Sequence, residues 1–251
     1  MLPHLHCLRL ASLTFLLAGC GKDGTSSTPL AAARFTFVHA LPDTGNVDVR
    51  VSAALSSALT AIPFGAATAY QAVPVGTATY SVQASPSTSA DLPRAFANLS
   101  GIQLSSGMSL TIVAAGRVRD TAGTNAPAVT PYIDDTSKPA SGESRLRVIN
   151  ASPDAGAVDV YVTGFGAART NTPQIAGVDY RSAVARSYAA GVYSVLVTAL
   201  SDQATVLAST SITLVDGGGQ TIVVRGLVGT QPAGFPSERK VGVTTIVNRA
   251  P

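Results

Sequence analysis

The sequence predicts an all-β protein made of two tandem antiparallel β-sandwich domains, placed after a signal peptide and a flexible tether. Three observations carry this expectation. Helix formers are scarce, with two Glu and three Lys in 251 residues against 23 Gly and 15 Pro. Short stretches alternate apolar and polar residues, as a strand with one buried face requires. One block of sequence, finally, is written twice.

The duplication is visible residue by residue. The run from His39 to Val51 aligns with the run from Asn150 to Val162, sharing Ala-x-Pro-Asp-x-Gly-x-Val-Asp-Val-x-Val after the first residue. Arg34 matches Arg145 ahead of these blocks. Gly107, Thr111, Ile112 and Val113 recur as Gly217, Thr221, Ile222 and Val223, and Gly76 to Val82 resembles Gly191 to Val195. The order is kept throughout, so the repeat is a whole domain and not a solenoid unit.

Each copy divides into about seven strands separated by turn signals. In the first copy they fall near 34–40, 47–53, 66–73, 77–84, 97–104, 108–115 and 128–134. In the second they fall near 145–151, 158–163, 178–187, 191–199, 204–214, 219–226 and 241–247. Val47, Val49 and Val51 alternate with Asp48 and Arg50, and Val158, Val160 and Val162 with Asp159 and Tyr161. Ile112 and Ala114 face opposite to Thr111 and Val113, and Ile222 and Val224 opposite to Thr221 and Val223. The polar stretch 134–143 reads as a short linker, which predicts two loosely docked domains over 34–138 and 139–251.

Residues 1–19 read as a leader. Arg9 supplies positive charge, and Leu10 to Ala18 is an apolar run too short to anchor as a transmembrane helix. It closes on Leu17-Ala18-Gly19-Cys20, which resembles a bacterial lipobox. That resemblance implies lipidation of Cys20, a membrane anchor, and a cell-envelope location in the outer membrane. The stretch 20–33, rich in Gly, Ser, Thr and Ala, then serves as the tether. Once Cys7 leaves with the leader, Cys20 is the only cysteine, so no disulfide supports the fold.

Composition excludes several function classes. Charged residues make up 12% against 46% hydrophobic, unlike a disordered polyampholyte. A net charge of +3 without clustering gives no footprint for nucleic acid. Tunable acid–base groups are few, which argues against a hydrolase. No cofactor is expected.

The repeated turns are the most site-like feature. Pro42-Asp43-Thr44-Gly45 and Pro153-Asp154-Ala155-Gly156 suit β-turns. The weak calcium candidates are Asp154 and Asp159, with Asp43 and Asp48 as their counterparts; the alternative has Asp43 and Asp154 capping backbone amides and the other two solvated. His39 has Asn150 as its counterpart, which points to a shared hydrogen-bonding role and away from catalysis. Gly217 to Gly219 lacks the Lys-Ser/Thr of a phosphate loop and reads as a turn. Tyr70, Tyr132, Tyr161, Tyr180 and Tyr188 are the aromatics able to form a sugar or protein platform. Tyr161, Tyr180, Arg181, Arg186 and Tyr188 form the candidate interaction surface, centred on 180–188, against ordinary edge-strand decoration as the alternative.

The second copy, from Arg145 to Val162, resembles the signature of the domain of unknown function 4397 family: an opening strand, an (Asn/His)-Ala-Ser-Pro-Asp-Ala turn, and a Val-Asp-Val-Tyr-Val strand. A Gly-x-Tyr-x-Val strand follows at Gly191 to Val195. The first copy departs at Leu41, Thr44 and Arg50. The resemblance implies an immunoglobulin-like sandwich on exported bacterial proteins, often in tandem and on lipoproteins, and supplies no catalytic or binding residue. The expected function is a lipid-anchored, non-catalytic binding or spacer module, engaged in surface interaction or adhesion with a protein or glycan. A periplasm-facing structural lipoprotein is the alternative.

Overall fold

β-Branched and aromatic residues alternating with small polar ones, interrupted by Gly and Pro, leave strands as the element that buries apolar surface here. The computed structural model describes residues 32–52, 54–55, 59–87, 95–229 and 239–249. Leu17, Ala18, Gly19 and Cys20, the tether up to residue 31, and residues 230–238 lie outside these. All described residues belong to one unit, Ala31–Pro251.

The first half contains β1 (Ala32–Ala40), β2 (Val47–Val51), β3 (Ala54–Leu55), β4 (Gln71–Pro74), β5 (Gly76–Ala84), β6 (Ala97–Leu104), β7 (Ser109–Ala115) and β8 (Ala128–Ile133). They form two four-stranded sheets, ordered β4-β1-β7-β8 and β3-β2-β5-β6. Phe35, Phe37, Leu110 and Ile112 of the first sheet pack with Val47, Val49, Tyr80 and Val82 of the second in one core. Phe35 and Tyr80 meet edge to face, 5.0 Å between ring centres.

The second half repeats this with β9 (Glu143–Asn150), β10 (Val158–Gly164), β11 (Ile175–Val178), β12 (Ala183–Ala189), β13 (Gly191–Ala199), β14 (Asp202–Leu214), β15 (Gly219–Arg225) and β16 (Gly242–Arg249). Its sheets are β12-β9-β15-β16 and β11-β10-β13-β14. Leu146, Val148, Ile222 and Val224 pack with Val158, Val160, Val195 and Val197 in a second core. The fold is thus all-β and sandwiched. Pairing is antiparallel except between β1 and β7 and between β9 and β15, which run parallel.

The two halves are docked through a third core, and this corrects the expectation of loose docking. Val38 and Ala40 of β1 and Val113 and Ala115 of β7 pack with Ile149, Ala151, Val223 and Ile246. Strands β1, β7, β9 and β15 are therefore buried on both faces along part of their length. The face of Thr111 and Val113, opposite the first core, lies under the second sandwich. The four sheets stack as layers, with β4-β1-β7-β8 and β12-β9-β15-β16 in the middle.

Strand positions depart from the sequence reading at the repeat's crossover segment. The single strand expected over 178–187 is two strands in different sheets, β11 beside β10 and β12 beside β9. The chain switches layers at the turn between Asp179 and Ser182, where Arg181 adopts φ 60°. Apolar periodicity runs through the switch because both sheets face one core, so pattern alone does not reveal it. In the first copy the corresponding stretch keeps only β4 as a strand, with Ala67 bridging to Val38.

Candidate functional site

The repeated Pro-Asp turns tie an Asp side chain to backbone amides in each copy. β1 ends at Ala40 and β9 at Asn150, and the turn that follows brings its Asp back under the loop after β7 or β15. Asp43 accepts the amides of Val118 (2.7 Å) and Arg119 (2.9 Å). Asp154 accepts those of Val228 (2.9 Å) and Gly229 (3.2 Å). The second carboxylate of each motif serves other loops. Asp48 accepts Ala61 and Ser87 amides, both at 2.8 Å, and Asp159 accepts Gly177 and Ser201 amides, both at 2.9 Å.

The paired carboxylates therefore do not converge on one point. Asp154 and Asp159 each spend both oxygens on backbone N–H groups, which leaves a cation without the six or more oxygens calcium takes. Among the described residues there is no group of three or more His, Cys, Asp and Glu able to hold a metal ion. Asp48 and Asp159 are also not solvated; they are 2% and 5% exposed. Burial pushes the Asp48 carboxyl upward, but the Ala61 amide and the Ser85 and Ser87 donors outweigh it and hold it below its usual range.

His39 is fully buried at the end of β1. Its Nε2 lies 2.9 Å from the Gly45 carbonyl, and its Nδ1 accepts the Leu41 amide at 3.2 Å. That pattern selects the neutral Nε2–H tautomer. Burial pushes the imidazole down to about 4, and the nearby Arg239 and Arg225 guanidiniums act in the same direction. A neutral ring with both nitrogens engaged on the backbone orients a turn and has no free nitrogen for acid–base work.

A polar hub closes the interface between the sandwiches. Asp134, buried just past β8, forms an ion pair with Arg147 of β9 at 2.6 Å. The same carboxylate accepts the hydroxyls of Thr111 (2.7 Å) and Tyr70 (2.6 Å) and the Asn248 side-chain amide (3.3 Å). Arg147 also donates to Thr221 (2.9 Å), the equivalent of Thr111, and to the Ile133 carbonyl (3.0 Å). Burial and the Asp134 carboxylate raise the Tyr70 phenol to about 12. Asp134 opens the polar run 134–143 that reads as a linker in the sequence, which conceals this hub. The available signal was the recurrence of Thr111 and Thr221 on the face opposite each core.

A second contact is made by the loop carrying Phe64 and Gly65. The Arg225 and Arg239 guanidiniums lie 4.9 and 4.4 Å from the centre of the Phe64 ring. Thr244 of β16 donates to the Gly65 carbonyl at 2.6 Å.

The structure does not gather the five candidate interaction residues into one surface. Tyr161 is 2% exposed, because the segment between β10 and β11 folds over its sheet and sets Arg169 5.2 Å from its ring. Tyr180 packs with Tyr70 and Tyr132 against the inter-sandwich core. Arg181 reaches across the same interface to the Ala115 and Ala126 carbonyls, and its own carbonyl accepts the Tyr132 hydroxyl at 3.0 Å. Tyr188 is half-buried against the second core, edge-on to Tyr193 at 5.8 Å. Arg186 is exposed on β12. Strand 180–188 thus supplies interface contacts more than a free platform.

An apolar cleft of about 500 Å³ lies in the first sandwich, walled by Phe35, Val51, Leu59, Val73 and Ala78. Among the described residues, none that lines it is ionisable.

A family model, Domain of unknown function (DUF4397), matches residues 33–161. That span covers the first sandwich and runs through β9 into β10. No curated protein matches the chain. Among solved structures, the Bacillus anthracis TIE protein is 9% identical, with a TM-score of 0.26; the match covers 78% of this chain and 34% of that one. The multi-modular glycogen-degrading pneumococcal virulence factor SpuA is 10% identical, with a TM-score of 0.27; 76% of this chain and 20% of that one are covered. This chain therefore spans only about a third and a fifth of those two proteins. An α-glucan-recognising family 41 carbohydrate-binding module from streptococcal virulence factors is 14% identical, with a TM-score of 0.25; 77% of this chain and 93% of that one are covered. At these scores the likenesses carry no argument about function.

Proposed function

We propose, from the premise that the chain belongs to the DUF4397 family, that it is a non-catalytic module holding a rigid pair of β-sandwiches at the bacterial cell envelope. One observation carries this reading: the groups that acid–base or metal chemistry would need are engaged in architecture. His39, Asp43, Asp48, Asp154 and Asp159 all bind backbone amides or carbonyls, and Asp134 is neutralised by Arg147. Both halves are two copies of one family unit in this reading, fused through a buried interface into a single spacer. The leader and Leu17-Ala18-Gly19-Cys20 support attachment through lipid on Cys20, in the outer membrane. The exposed outer sheets then serve surface interaction with a protein or glycan.

The test treats intact cells with protease and blots for the mature chain, with and without Cys20→Ala. Digestion on intact cells, with a periplasmic control preserved, supports a surface module. Survival until permeabilisation replaces that reading with a structural lipoprotein facing the periplasm. Unchanged membrane association of Cys20→Ala removes the lipid anchor from the proposal.

A further inference from the structure

An edge strand presents unpaired N–H and C=O groups that template pairing with another chain, and folded proteins blunt their edges against this. Here every sheet edge carries such a device among the described residues, and one edge carries it at one end only. β3 has two residues and β11 four. β4 is equally short and ends in Pro74, and β8 contains Pro131. β6 is bulged where Gly101 takes φ 75° and the register against β5 shifts. β12 presents the exposed Arg186. β16 is fastened to the first sandwich through Thr244 and Asn248.

β14 is that edge. It runs for 13 residues; Asp202 and its two register shifts against β13 all lie before Ala208, and from Gln203 to Leu214 it contains neither a charge nor a proline. Ala208 to Leu214 pairs with β13 without a register shift, whereas its sister strand β6 is interrupted. The direction of its free groups follows from the ladder. The Val192 carbonyl accepts the Phe165 amide on the β10 side, and Val192 stands opposite Thr213. Backbone groups alternate sides along an antiparallel strand, so Ser209, Ser211 and Thr213 direct theirs outward. Of these carbonyls, that of Thr213 accepts the Gln220 side chain (2.7 Å) and that of Ser211 a long contact from Thr210 (3.5 Å).

We propose that β14 is a self-association edge, on which a second copy of this chain adds its own β14 antiparallel about Ser211. The spacing of the outward groups suits that occupant. Ser211 meets Ser211 of the second copy, Ser209 meets Thr213 of the second copy, and every outward amide finds a carbonyl. The pairing sets only uncharged side chains opposite each other, with Thr210 beside Ile212 of the second copy and Ala208 beside Leu214, so no like charges meet across the dyad. The result is a continuous sheet of two β11-β10-β13-β14 layers. It does not depend on the lipid anchor.

The test uses the full chain carrying Cys7→Ser, Cys20→Ser and Ser211→Cys under mild oxidation, so that position 211 holds its one thiol. Residues facing each other in a hydrogen-bonded antiparallel pair stand about 5.5 Å apart at Cα, within disulfide range. A disulfide-linked dimer is expected, absent from the same cysteine-free chain with Ser211 restored and from its Ser100→Cys variant on the bulged β6 edge. Ser211→Pro removes an outward N–H that β13 does not use, so it should abolish the dimer in sedimentation while the strand spectrum persists. Absence of a Ser211→Cys cross-link, or a dimer that survives Ser211→Pro, overturns the proposal; a chain that stays monomeric would leave this edge to a foreign strand.

Discussion

His39 and Asn150 occupy the same position in the two copies and make the same two hydrogen bonds with different chemistry. The His39 ring bridges the Gly45 carbonyl and the Leu41 amide. The Asn150 side chain donates to the Gly156 carbonyl at 2.8 Å and accepts the Ser152 amide at 3.1 Å. Asn performs this bridging without a titratable group, and His performs it only while neutral.

That difference predicts an acid sensitivity confined to the first copy. Burial holds folded His39 at about 4, below its ordinary value of 6.5. Between those values the unfolded chain binds a proton that the folded chain refuses. The stability that His39 contributes is therefore complete above pH 6.5 and declines as pH falls towards 4, by up to about 1.4 kcal/mol per pH unit. His39→Asn should leave the melting temperature at pH 7.5 nearly unchanged and flatten its fall between pH 6.5 and 4. An equally steep fall in the variant would assign the acid sensitivity to other groups.

Asp134 should be the most costly polar residue of the interface to lose. Asp134→Asn leaves the Arg147 guanidinium without its counter-charge in a largely buried site, a change of about 3–5 kcal/mol in stability. Adding Arg147→Met should recover part of that loss, because the uncompensated charge is then gone. Chemical denaturation of the two variants measures both effects, and a double variant no better than the single one would refute the ion-pair account.

Calcium should leave the melting temperature unchanged, since the oxygens of Asp154 and Asp159 are already engaged. Asp159→Asn should destabilise the fold by about 1–3 kcal/mol, because an amide N–H₂ then confronts a backbone N–H. A calcium-dependent rise of several degrees, lost in Asp159→Asn, would instead restore the metal site.

Gly116 and Gly226, which close the aligned blocks, should resist substitution together. Both have positive φ, 119° and 100°. A Cβ at Gly116 would stand 2.5 Å from the Ala126 carbonyl oxygen, and one at Gly226 2.3 Å from that of Lys240. Either Gly→Ala change should lower the melting temperature, whereas Gly45→Ala, with open space around it, should not.

The strands were legible wherever one face meets a core and the other does not. Val47, Val49, Val158 and Val160 alternate with polar neighbours, and all four lie in a core. Legibility failed where a residue's neighbours come from the other copy. Thr111 and Thr221 look like solvent-facing positions until a second sheet covers them, and nothing local marks Asp134 as a hub. The layer switch at Arg181 escaped for a related reason, because both of its strands address the same core. Asp48 and Asp159 could be seen to recur, but their partners are backbone amides, which every residue but proline carries and which therefore leave no trace in side-chain pattern.

A strand of the second half, β16, contributes to closing the first half of the molecule. Asn248 and Thr244 of β16 bind Tyr70 and the Gly65 carbonyl. A nascent first sandwich must therefore wait, with Val38, Ala40, Val113 and Ala115 uncovered, until β9, β15 and β16 of the second half are delivered. During that interval it presents a bare apolar wall to its surroundings. Duplication has in this way made the first half's completion a timing problem, and whatever escorts the chain through synthesis has that wall to shield.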